Sequence, residues 1–514
     1  MIKDVKKQVC AAFFFILVAM IFSGSHTQMA LYTSNQHSYF LHGLARGGMG
    51  FLEEDWQANT ADPFPLFSSL VASTWKHMGE WFFYLYYAIL LGIYAFSLTL
   101  IVSGVFGFSR SSWAVLLFFL ALTFLHSYYF YHLIYHLNRQ NPRQYLIWGV
   151  AGQYLLGPYL QPSNFGILCL LSIALFIREK PIAAIVSAAA GVYFHSSYLL
   201  AVALLTLIYM GIICFRKRDI QQSLNIGLLS LFLVLPLLWY IYVHFGSEAP
   251  DIAARAREIL VYKRLFNHAL PSRWFNSIDC FKIIGILLAI FLARKHPLSL
   301  IMLFLFLMSV LLTVIQVLMK NELLALVFPW RISVILVPLS LAIILGFGIK
   351  LIYSFLEKRR PILHLGIAGI SIVGLLWISA WGIRVTVPEY SRKTGGDWGE
   401  LVQYIRTNLR SGDACLTPPR LYEFRLATGV PILVDIKTHP YKAREVIEWY
   451  RRLKSADKFY HSGDPGEAGK ALEEIRSSGH ISHVLLQKNK TRFTLPSGKP
   501  VFENRTFVLY ALKE

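Results

Sequence analysis

Charge is what this chain has least of: only 15% of its 514 residues are Asp, Glu, Lys or Arg, while 55% are hydrophobic and the mean hydropathy is +0.50. That balance excludes an ordinary soluble domain. Cysteine is scarce too. Of five, Cys10, Cys169, Cys214 and Cys280 lie in or beside apolar runs, and only Cys415 sits in a polar stretch, so neither a disulfide framework nor a zinc-ligand spacing is present. Also missing are a Gly-rich nucleotide loop, a His-Glu-x-x-His helix and a Gly-x-Ser-x-Gly elbow, which removes support for nucleotide-sugar, metalloprotease and serine-hydrolase chemistry.

What the chain has instead is repetition of apolar runs about 20 residues long, the length that crosses a hydrocarbon core as a helix. Spans are expected near residues 8–24, 81–102, 112–130, 163–177, 181–195, 197–214, 223–244, 279–293, 297–319, 328–349 and 362–384. The expected fold is therefore a polytopic α-helical membrane protein of about 11 transmembrane helices. The net charge of +20 does not call for nucleic acid, because the bases fall in short breaks (MIKDVKK, SRSS, REK, FRKRD, ARKHP, LEKRRP). With the N-terminus inside, all of these lie on the cytoplasmic face of a bacterial plasma membrane, as the positive-inside rule requires, and the tail lies outside. The first run is also compatible with a signal peptide. The aromatic and polar stretch 132–160, which carries Arg139 and Arg143, is expected outside as an interfacial or re-entrant segment.

Residues 1–384 thus form the expected membrane domain, with a long first outer loop at 25–80. Residues 385–514 form a small extracytoplasmic α/β domain. In that tail GGDWGELVQYIRTNLR, REVIEWYRRL and GKALEEIRSSG read as helices, and HVLLQ and TFVLYAL as strands. In the loop, HSYFLHGLARGG and PFPLFSSLVASTWKHMG have helical spacing and flank the acid run GFLEEDW, with Trp56 and Trp75 as candidate interface anchors.

Three stretches of this loop, NQHSYF (Asn35 to Phe40), LARGGMGFLEEDW (Leu44 to Trp56) and PFPLFSSL (Pro63 to Leu70), carry a resemblance. Their order resembles the first outer loop of the GT-C membrane glycosyltransferases, such as protein O-mannosyltransferases and aminoarabinose transferases. The tail segment LTPPRLYEFRLATGVPILVDIKTHPY with EWYRRL resembles outer domains of uncharacterised bacterial GT-C-like proteins. The resemblance implies transfer of a sugar from a polyprenyl-phosphate donor to a glycan, lipid or protein acceptor. It departs from the family at Asn35 and Gln36, which stand where the family has an acid pair, so the catalytic base is not carried over. Asp55 or Glu54 is the nearest carboxylate, with His37 third, and a carboxylate there is also a candidate ligand for Mg or Mn. The alternative is a solvated acidic turn.

A phosphate leaving group needs cations, and Arg suits it because its fork pairs two oxygens. Arg255, Arg257, Lys263, Arg264 and Arg273 lie on the expected outer loop 245–278, against the positive-inside trend, and Arg331 opens the tenth span beside Pro329 and Trp330. The alternatives are an amphipathic helix on anionic lipid and snorkelling to headgroups. His195 either contacts substrate or caps the turn between two spans. Asp435, Lys437 and His439 offer acceptor recognition or turn chemistry. Beside glycosyl transfer stand a polymerase or ligase of lipid-linked glycans and a non-enzymatic transporter or assembly component.

Overall fold

The computed structural model describes residues 2–108, 111–246, 248–356, 361–392, 395–491, 493, 495 and 498–512. The side chains of the first basic break, residues 109–110 and residues 357–360 lie outside the described residues, so the charge pattern rests there on sequence alone. The chain divides into two compact units: residues 1–28, 84–239 and 261–387 form one, and residues 29–83, 240–260 and 388–514 the other. This partition differs from the expected one. The first loop belongs to the same unit as the tail rather than to the helical domain.

The first unit is helical. All eleven expected apolar segments are helical, and among the described residues six helical segments are long and apolar enough to cross a membrane: Trp81–Phe106, Ser196–Lys217, Ile220–Phe245, Leu298–Leu318, Glu322–Leu356 and Pro361–Val385. A seventh results if Ser112–His126 and Tyr128–Leu137, bent by 51°, are one span. Pro162–Ile177 and Pro181–Phe194 are shorter, and Ala12–His26 is the described apolar part of the 25-residue helix Ile2–His26. At 1.5 Å per residue a helix of 14 residues is about 21 Å long, short of the roughly 30 Å hydrocarbon thickness. Apolar periodicity marks a helix but not its reach.

The stretch 132–160 also differs from expectation. Its first part continues the helix Tyr128–Asn138, and the chain then makes a short helix, Pro142–Leu146, before running irregularly through Ala151 at φ +60°. Asn141 caps that short helix by accepting from the Arg143 N–H at 3.0 Å, and Pro142 suits its first turn because it has no N–H to leave unpaired. Further along, the Val150 N–H donates to Ser333 Oγ at 2.7 Å, which fixes this segment against the start of the helix Ser333–Leu356.

The second unit is α/β. Its sheet has four strands, β1 (Cys415–Leu416), β2 (His483–Gln487), β3 (Gly498–Glu503) and β4 (Phe507–Leu512), in the order β1-β2-β4-β3. β1 runs parallel to β2, the other pairs are antiparallel, and β3 carries a bulge between Pro500 and Phe502. Helices Gly396–Asn408, Ala443–Tyr460 and Pro465–Ser478 follow the expected apolar spacing. β3 escaped the sequence reading because GKPVFE holds a proline and little alternation. The core gathers Leu401, Ile405, Cys415, Phe424, Ile432, Leu485 and Leu509, with Phe51 of the first loop packed against it.

Candidate functional site

The loop joins the tail through backbone contact at two glycines. Gly50 and Gly429 both adopt positive φ, +55° and +74°, which only glycine takes without strain. A Cβ on Gly50 would overlap the Gly429 carbonyl and lie 2.8 Å from its Cα. The next residue, Phe51, donates its N–H to the Gly429 carbonyl at 2.7 Å.

Five residues beyond Gly50, the side chain of Asp55 enters the interior. Oδ2 accepts from Arg425 Nε at 2.9 Å and from the Ile432 N–H at 3.0 Å, while Oδ1 accepts from the N–H groups of Gln57 and Ala58 at 2.9 and 3.3 Å. The other end of Arg425 reaches Asp435, with Nη1 2.6 Å from Oδ2. Asp435 in turn holds its own turn, Oδ1 accepting from the N–H groups of Lys437 and Thr438 at 2.7 and 2.6 Å. Side-chain exposure is 0% for both carboxylates and 2% for the guanidinium. Burial pushes the Asp435 carboxyl above its ordinary range, with Arg425 opposing.

This geometry corrects the expectation for Asp55. A carboxylate with each oxygen engaged by two donors, and no exposed surface, cannot reach an acceptor hydroxyl; it holds the loop on the tail. It does not fit a divalent metal either, since the sites a cation would take are occupied by N–H groups. Among the described residues no group of three or more His, Cys, Asp or Glu side chains is placed to hold a metal. Asp435 and Lys437 perform turn chemistry rather than lining a recognition surface. Arg425 was missed: one arginine inside LYEFRLATGV carries no sign that its partners lie 370 and 10 residues away.

Glu54 stays exposed and binds the Gly412 turn, accepting from the Ser411 hydroxyl and, at 2.8 Å, from the Gly412 N–H. His37 is buried beside Tyr422, ring centroids 5.3 Å apart. Asn35 and Gln36 open the helix Gln36–Tyr39; Gln36 is buried and its Oε1 accepts from the Thr33 N–H at 3.3 Å. Trp56 is covered by the Arg452 guanidinium, 4.2 Å from its ring centroid, which replaces its expected role as an interface anchor with a contact inside the unit. Trp75 is half-buried and packs beside Gly47. His42 donates from Nε2 to the Thr60 carbonyl at 3.1 Å, and burial holds its pKa below the ordinary value. The segment 240–260 completes the unit: Tyr240 donates to the Asp62 carbonyl at 2.7 Å, and Arg444 pairs with Glu248 at 2.7 Å.

The expected cationic cluster is divided between the two units. Arg255 and Arg257 belong to the second unit; Lys263, Arg264 and Arg273 belong to the first. Arg255 pairs with Glu258 at 2.5 Å, Arg257 and Arg264 are half-buried, and Lys263 and Arg273 are exposed.

In the first unit Arg331 is better placed. The helix Pro181–Phe194 ends at His195, and the 3-10 turn Ser196–Tyr198 begins there, so one residue serves as cap for both. Arg331 Nη2 donates to His195 Nε2 at 3.1 Å, and its guanidinium carbon lies 5.4 Å from the Tyr198 ring centroid. On the other side of the ring, Nδ1 accepts the Ser197 N–H at 3.3 Å as the cap of the turn and lies 2.6 Å from Ser197 Oγ. Arg331 Nε is buried with no hydrogen-bond acceptor, and no ion pair joins Arg331 to a carboxylate among the described residues. Of the two roles considered for it, His195 takes the cap, and it also meets Arg331, a contact the sequence did not show.

Together these features define a helical membrane-type unit with a cationic centre and an α/β unit assembled from three separated segments. A domain of unknown function (DUF6798) matches residues 396–456, a stretch that contains Arg425 and Asp435 but not Asp55. No curated protein matches the chain.

Proposed function

We propose that the protein is an integral membrane glycosyltransferase of GT-C-like type that moves a sugar from a polyprenyl-phosphate carrier to an acceptor on the extracytoplasmic face. The single observation that supports this most is Arg331. It is a guanidinium oriented by His195, stacked on Tyr198, and free of any carboxylate that would cancel its charge among the described residues. Such a group suits the phosphate that leaves when the acceptor hydroxyl attacks the anomeric carbon, since charge on that phosphate grows in the transition state. Of the three acid–base candidates in the first loop, Asp55 and His37 are buried and Glu54 is exposed.

The test is transfer from a labelled polyprenyl-phosphate sugar in membranes carrying the full chain. Arg331→Ala is expected to lower transfer about 100-fold or more, the scale for losing a donor to developing charge, with Arg331→Lys intermediate. Full transfer by Arg331→Ala would remove the proposal. The structural role of Asp55 favours a second reading, a non-enzymatic transporter or assembly component that kept the loop and lost the base. Substrate flux through purified protein in liposomes without any glycosyl transfer would establish that reading instead.

A further inference from the structure

We infer that Arg143 anchors a second anion site in the first unit, one that takes a phosphate oxyanion. The side chain is only 9% exposed, yet its charge has no carboxylate partner among the described residues. Its surroundings are polar but neutral. Nη2 makes one long hydrogen bond to the His26 carbonyl, 3.3 Å; the guanidinium carbon lies 5.2 Å from the Tyr131 ring centroid; and Tyr87, Tyr128 and the His26 and His126 imidazoles are electrostatic neighbours. Tyr87 cannot release a donor to it or to a ligand without breaking its bond to the Gly157 carbonyl, which His26 Nε2 also contacts at 3.0 Å. Arg143 Nε is buried with no acceptor at all.

The energy of this arrangement does not balance from within. Burial of an unpaired cation costs several kcal/mol, whereas a ring face and a helix-end carbonyl each return about 1–2. An oxyanion across the Nε and adjacent Nη edge supplies what is missing, because it matches the arginine fork at two points. A second orphan lies in the same segment: Trp148, whose backbone N–H donates to the Arg143 carbonyl at 2.8 Å, has its indole N–H buried without an acceptor. Both donors lie in a segment held by the Asn141 cap and the Val150–Ser333 bond, so the arginine is fixed in place rather than loose. The phosphate can belong to a lipid headgroup or be free. The inference does not rest on glycosyl transfer.

The experiment is a thermal-shift and binding titration of the purified full chain in maltoside detergent, with dioleoyl phosphatidate in one arm and inorganic phosphate in the other. Wild type is expected to show saturable stabilisation. Arg143→Met should fold with an equal or higher melting temperature in the absence of ligand and bind at least about tenfold more weakly. Arg143→Lys, which keeps the charge and loses the fork, should fall between, and covers the case in which the methionine variant does not fold. The loss caused by Arg143→Met should persist in an Arg331→Ala background, which separates this site from the proposed transferase centre. Response to phosphatidate alone assigns a lipid headgroup, and response to both assigns phosphate from either source. No response in either arm, or equal affinity in Arg143→Met, would overturn the inference.

Discussion

Replacing Arg425 by methionine should unfasten the second unit, and the size and pH dependence of the loss follow from its two partners. The substitution keeps most of the aliphatic stem and removes the charge shared by Asp55 and Asp435, both fully buried. Breaking one buried pair typically costs about 3–5 kcal/mol, because the partner remains as an uncompensated charge. Here the two orphans are not equal. Asp55 keeps three backbone N–H donors, whereas Asp435 is already raised by burial and takes up a proton more readily once Arg425 is gone. A carboxyl whose folded pKa lies above its unfolded value binds more protons in the folded state, so stability is lost as pH rises through that window. The deficit of Arg425→Met should therefore be about 3 kcal/mol or more at pH 8 and smaller at pH 5. Pulse proteolysis across a urea series, scored on fragments of the 388–514 segment, measures it. Adding Asp55→Asn and Asp435→Asn should restore most of the loss, since no charge then remains buried. A deficit below about 1 kcal/mol at pH 8, or no recovery in the triple variant, would refute the reasoning.

Other outcomes follow from single contacts. Gly50→Ala should destabilise the same unit by about 2–5 kcal/mol, from positive φ and overlap with Gly429, read in the same proteolysis assay. Asp55→Asn should lower folded yield and stability in parallel with any activity. A variant of normal stability with abolished transfer would return Asp55 to a catalytic role. His42 is held neutral in the fold, so below pH about 6.5 the unfolded chain gains a proton that the folded one refuses. Stability should then fall by about 1.4 kcal/mol per pH unit until the folded group titrates. His42→Gln should flatten that slope in melts taken from pH 7 to 5.

Much of the fold was legible because it is local. Runs such as WFFYLYYAILLGIYAFSLTL are apolar on every face, and REVIEWYRRLKSADKFY repeats its buried positions Val446, Trp449, Leu453 and Ala456 at helical spacing. Where a local pattern was absent the reading failed, as at β3; the number of spans rests on helix length, and six among the described residues are long and apolar enough. The site was less legible. Arg331 and His195 stood out as isolated polar groups in apolar surroundings, but nothing along the chain showed that they touch. The basic run from Arg255 to Arg273 looked continuous in sequence and is divided between two units in space.

Composition and periodicity by themselves determined a helical membrane-type chain with a mixed tail, because each rests on hydrophobic spacing within tens of residues. Only the tertiary structure decided what GFLEEDW is for. A buried carboxylate must find its countercharge wherever the fold brings one, and the partner of Asp55 arrives 370 residues later. That pairing turns the exposed acid run of the sequence into the clasp between the first loop and the tail.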